Sequence, residues 1–214
     1  MSTPVQRLLE NNRSWAAERL AEDPQFFSRL ASLQTPGFLW IGCSDSRVPA
    51  NEITGTQPGE IFVQRNVANL VVHTDVNLLA VLEYAVNFLK VRDVIVVGHY
   101  GCGGIAAALT HQNMGILNKW LRHIKDVYRF HEEELLALPE GRERQDRLVE
   151  LNVEEQVFNL AKTSIIQRAW QREQRPNLHG WVYGLNDGIL KPLLELPAGS
   201  PIDGIYRYEF DDLQ

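Results

Sequence analysis

Apolar positions change their period several times along this chain, and each change predicts an element. Between residues 4 and 21, Val5, Leu8, Leu9, Trp15 and Leu20 recur at helical spacing and stop near "EDP". A second, short helix is expected around Pro24 to Leu33. "GFLWIGC" (37–43) is too short and too evenly apolar for a surface helix and reads as a buried parallel strand. "EIFVQRN" (60–66) is a second strand, entered from the turn "QPGE". "TDVNLLAVLEYAVNFLKV" (74–91) is the clearest helix, with Thr74 as N-cap and a stripe through Leu78, Leu79, Leu82, Ala85, Val86 and Leu89. "DVIVVGH" (93–99) is a third strand, and a helix begins at Gly104 to Thr110. Residues 115–172 read as helical with charged outer faces. "LHGWVYGLNDGIL" (178–190) reads as two strands joined at "NDG", a hairpin signal. Strands alternating with helices argue for an α/β fold around a mainly parallel sheet.

Composition narrows the setting. The 214 residues suit one domain, with no repeat, low-complexity tract or Pro/Gly/Ser linker to divide it. A formal net charge of −6 argues against nucleic acid or an anionic membrane as partner. No run is long enough to span a bilayer, and the first residues lack a secretory h-region, so a cytoplasmic protein is expected. Two cysteines make no disulfide framework in a reducing compartment.

Those two cysteines carry the chemistry. Cys43 and Cys102 both lie at the carboxyl ends of predicted strands, where α/β sheets bind ligands. "HYGC" sets His99 two residues from Cys102, so one turn can aim both at an ion, with Cys43 as a third ligand. Zinc takes sulfur and nitrogen tetrahedrally, and three strong ligands leave the fourth position for water. Asp45 with Arg47 beside it would stay ionised, to accept a hydrogen bond from that water or to close the site itself. Other readings of the same residues are buried filler for each cysteine, a metal-free thiol pair, or a non-catalytic zinc protein. Gly101, Gly103 and Ala106 also satisfy G-x-G-x-x-A after a strand, but no acidic residue ends a following strand as a dinucleotide site needs.

"CSDSR" (43–47), "RNVAN" (65–69) and "HYGCGG" (99–104), within "QTPGFLWIGCSDSRVPANEITGTQPGEIFVQRNVAN" and followed by "LHGWVYGLNDG", resemble the β-class carbonic anhydrases, in their bacterial branch. The resemblance spans nearly the whole chain. It implies a parallel sheet with one antiparallel edge strand, residues 1–35 as an N-terminal helical arm, and dimers that often pair into tetramers. It makes Cys43, His99 and Cys102 zinc ligands and Asp45–Arg47 the catalytic dyad of reversible carbon dioxide hydration by hydroxide poised on zinc. Gln34 would orient the substrate, Phe62 would line an apolar pocket, and Gly103 would let backbone approach. Some members bind bicarbonate away from the zinc through a Trp, an Arg and a Tyr. Trp40, Arg65 and Tyr183 stand at those positions, which implies inhibition through a closed state with Asp45 on the zinc. Gln64 and Leu78 depart from residues common in the branch. A hydrolase of carbonyl sulfide or carbon disulfide would use the same ligand set.

Two thiolates cancel the ion's +2, so bound water should be less acid than with three neutral histidines, where its pKa is about 7. Activity is therefore expected to rise on the alkaline side of neutrality. A pH–rate profile flat down to pH 6 would contradict this.

Overall fold

A computed structural model of the chain describes residues 3–32 and 34–210. It divides into two compact units between Thr35 and Pro36. The first holds α1 (Pro4–Glu22) and α2 (Phe26–Leu30). Thr3 caps α1 in a reciprocal capping box with Gln6, which satisfies N–H groups that a helix start leaves open. The edge of Trp15 meets Phe26 and Phe27 at 6.2 and 5.6 Å. No residue of α1 is buried. Leu33, where the second predicted helix was to end, lies outside the described residues.

The second unit runs β1 (Phe38–Cys43), α3 (Ala50–Thr54), β2 (Ile61–Asn66), α4 (Val76–Glu83), β3 (Asp93–His99), α5 (Gly103–Ala108), α6 (Leu117–Phe130), α7 (Glu132–Leu136), α8 (Arg142–Ala161), α9 (Ser164–Glu173), β4 (Asn177–Tyr183) and β5 (Leu190–Leu196). The strands form one sheet in the order β2-β1-β3-β4-β5. The first four are parallel, and β5 returns antiparallel along β4 as the hairpin signal predicted. β1 and β3 have strands on both sides and helices or loops on both faces, which is why their sequences are unbroken apolar runs. On one face Leu39, Ile41, Val94 and Val96 meet Leu78 and Leu82 of α4 and Val153, Val157 and Leu160 of α8. On the other, Trp40, Ile95 and Val97 pack with Val48, Ala50, Trp181 and Tyr183.

Two local expectations change. The cap of α4 is Asp75 rather than Thr74: its Oδ1 accepts from the backbone N–H groups of Asn77 and Leu78 at 3.1 and 3.3 Å. A carboxylate at that position also answers the positive end of the helix. The helical stripe through Leu89 is real, but α4 ends at Glu83. Tyr84–Phe88 then widens into a π turn, with the Leu89 N–H on the Tyr84 carbonyl at 2.9 Å. Among the described residues no helix is long and apolar enough to cross a membrane.

α8 approaches the sheet closely where β3 carries Gly98. A Cβ there would stand 2.6 Å from Cγ2 of Val153, whose branched side chain is fully buried and has nowhere to go. Gly98→Ala should therefore cost about 1–3 kcal/mol by overpacking. Urea unfolding measures it, and an unchanged midpoint would show that α8 has room to retreat.

Candidate metal centre

β1 and β3 pair in parallel with Gly42 opposite Val97, so their carboxyl ends emerge side by side. Cys43 ends β1 and His99 ends β3; a tight turn at Gly101 (φ 68°) brings Cys102 back to the start of α5. The ligand atoms of Cys43, His99 and Cys102 all lie within 4.8 Å of one another, and all three residues are buried. The two sulfurs are 3.9 Å apart. Two Zn–S bonds of about 2.3 Å at the tetrahedral angle span about 3.8 Å, so the separation suits one zinc ion.

The state of His99 points the same way. Its Nδ1 lies 3.1 Å from the Tyr100 carbonyl, which assigns the proton to Nδ1 and leaves a lone pair on Nε2. That Nε2 is buried and has no hydrogen-bond partner. An orphaned buried acceptor is costly unless something occupies it. Here it faces two sulfurs, a donor set of the kind zinc prefers.

Charge completes the test. Hydrogen bonding from the neighbouring Cys102 thiol holds Cys43 well below the usual thiol range, and its contact with Cys43, with burial, pushes Cys102 well above it. Without a cation the pair shares one negative charge. A divalent ion removes that restriction. Both cysteines sit in one buried cluster with Ala68 and Ile105.

Asp45 lies just beyond Cys43, half-buried. Arg47 grips its carboxylate in a fork, with Nε on Oδ1 at 2.9 Å and a terminal N–H on Oδ2 at 2.7 Å, while the Arg47 backbone N–H adds a third bond at 3.0 Å. These bonds hold the carboxyl well below its ordinary range, the guanidinium being the main cause. Oδ2 also stands 3.7 Å from His99 Nε2, so the carboxylate borders the ligand cluster. A cleft of about 960 Å³ opens over Arg47, Tyr100 and Gly101, with Glu150 and Lys191 in its walls, but none of the three ligand residues lines it.

The other predicted residues are placed as follows. Arg65, on β2, donates Nε to the Cys43 carbonyl at 2.8 Å and a terminal N–H to the Asp45 carbonyl at 2.5 Å. Trp40 is fully buried on the opposite face of the sheet, its Nε1 without a partner, and half-buried Tyr183 belongs to the same cluster. Phe62 is half-buried, its ring 5.9 Å from that of Tyr84. Gly103 opens α5 facing free space, whereas at Gly104 a Cβ would stand 2.9 Å from Val67 Cγ1. Gln34 is an exposed residue of the N-terminal unit.

Sequence reasoning missed the carbonyl of Tyr100, the left-handed turn at Ala68 and the buried α8 amides of Asn152 and Gln156. Ala68 lies inside the quoted "RNVAN", which was the available signal for that turn. Asn152 and Gln156 sit in a helical stretch read only as charged.

Comparison with known proteins agrees with the site. The family model described as carbonic anhydrase matches residues 38–190. A carbonic anhydrase of Emericella nidulans is 52% identical over 187 residues, covering 87% of this chain and 82% of that one. A structure of a tetrameric β-carbonic anhydrase from Sordaria macrospora superposes with a TM-score of 0.86 at 41% identity, covering 90% of this chain and 98% of its own. The Coccomyxa β-carbonic anhydrase, solved with acetazolamide, gives 0.88 at 40% identity and covers 92% and 90%. With a sulfur–nitrogen cluster at the sheet edge and likeness over nearly its whole length, the chain belongs to the β-class carbonic anhydrases, enzymes that hydrate carbon dioxide.

Proposed function

We propose that zinc is the metal, held by Cys43, His99 and Cys102, and that Asp45 with Arg47 forms the catalytic pair for reversible conversion of carbon dioxide and water to bicarbonate and a proton. The observation that carries this is the buried, partnerless Nε2 of His99 beside two sulfurs 3.9 Å apart. Bound zinc supplies the Lewis acidity that makes water a nucleophile near neutral pH. The chain's own residues do the rest. Asp45, ionised and acceptor-only in the grip of Arg47, takes a hydrogen bond from the attacking water and turns its lone pair toward the substrate. Phe62 offers apolar surface to a substrate that carries no charge. Gly103 leaves space for it at the mouth of α5. The exposed apolar residues Val5, Leu8 and Leu9 of α1 support assembly into dimers or tetramers.

A second, regulatory reading rests on Trp40 and Arg65, and would place the chain with the bacterial members that bind bicarbonate away from zinc. The buried Trp40 Nε1–H lacks an acceptor, which an anion could supply. Arg65 spends two donors on the Cys43 and Asp45 carbonyls. An anion that drew Arg65 away would loosen the segment holding the dyad and let Asp45 leave Arg47 for the zinc.

Metal analysis with stopped-flow hydration tests the main reading. One zinc per chain and rapid turnover of carbon dioxide are expected, with both reduced at least about a hundredfold in His99→Ala. Turnover of carbonyl sulfide or carbon disulfide in place of carbon dioxide would reassign the substrate, and a metal-free, active wild-type chain would end the zinc reading. For the regulatory reading, Trp40→Phe should relieve inhibition by high bicarbonate. An unaltered inhibition curve would remove Trp40 from that role.

A further inference from the structure

Ala68 (φ 64°, ψ 30°) and Asn69 (φ 49°) are consecutive non-glycine residues in the left-handed region. L residues rarely sit there unless the surroundings over-determine them. The surroundings here are specific. Trp120 Nε1 donates to the Val67 carbonyl at 2.8 Å. Asn152 Nδ2 donates to the Ala68 carbonyl at 3.1 Å, and Gln156 Nε2 donates to Asn152 Oδ1 at 3.1 Å. Gln156 Oε1 accepts from the Val71 N–H at 2.8 Å. Asn152 and Gln156 are 1% and 2% exposed, on a face of α8 otherwise made of Val149, Val153 and Val157. Amides at such positions are expensive unless fully bonded, and what they bond is the backbone of this one turn. The turn follows directly on Asn66, which lies opposite Cys43 in the β1–β2 pairing and whose carbonyl accepts from the Ser44 N–H at 2.8 Å, and Ala68 shares one buried cluster with Cys43 and Cys102. It also packs against Gly104, where a Cβ would stand 3.2 Å from Ala68 Cβ. The turn thus borders both sulfur-bearing residues.

We propose that Asn152, relayed by Gln156, is a positioning residue of the metal centre: it holds the left-handed Ala68 turn against Cys43 and Cys102. Rested on the zinc reading above, this fixes where the Cys43 sulfur stands in the ligand set.

The test compares zinc affinity, by chelator competition, and the sulfur-to-metal charge-transfer band of the cobalt(II)-substituted protein. Asn152→Leu should weaken zinc binding about tenfold, as loss of a ligand's outer partner does. The band should shift, because a Cys43 sulfur no longer held in place meets the metal at a different distance and angle. Adding Ala68→Gly should restore much of both, since glycine takes φ near 64° without help. That rescue is not expected if Asn152 merely fills space. If Asn152→Leu does not fold, Asn152→Ser carries the same expectations. Wild-type zinc affinity within twofold together with an unmoved band would overturn the inference while the zinc reading stands. A wild-type chain that takes up no zinc would overturn both.

Discussion

Two sulfur atoms held 3.9 Å apart in a buried place cannot both carry negative charge unless a cation lies between them, and the neighbourhood is arranged around that repulsion. His99 turns its second ring nitrogen toward the pair because its Nδ1–H is donated to the Tyr100 carbonyl. The parallel pairing of β1 with β3 makes the meeting possible, since parallel neighbours bring their carboxyl ends to the same edge.

Asp45 is restrained at both of its polar ends. Arg47 holds the carboxylate and Arg65 holds the carbonyl, and the carbonyl of Cys43 is on Arg65 as well. One guanidinium therefore keeps the acid charged and aimed, while the other fixes the peptide that joins it to a ligand. The side chain and the backbone of this residue are therefore held independently of one another. The cleft beside this segment reaches Arg47, and none of the three ligand residues lines it.

The parts legible in the sequence were those whose information is local. Apolar runs of six or seven residues marked β1 and β3, because a strand buried on both faces has no polar position to spare. Cys43, Asp45 and Arg47 fall within five residues, and His99 and Cys102 within four, so a motif could report them. The rest depends on residues far apart. Asn152 and Ala68 are 84 positions distant, and nothing in "ELNVEEQ" says that its amides point inward. At α4, Thr74 and Asp75 are both good cap residues, and only the path of the chain chose the second. The π turn after Glu83 preserves the apolar stripe, so periodicity alone could not show it. Arg65, expected at an anion site, donates to two carbonyls, which no charge pattern reveals.

Cys43 and Cys102 stand 59 residues apart, and their meeting depends on how two neighbouring strands are aligned. Slipping β1 by a single residue against β3 would turn Cys43 to the face where Trp40 now lies. Uptake of the cation is therefore also an inspection of the sheet. A chain whose strands are misaligned has no site to fill, and only a correctly threaded one gains the added grip of a bound ion.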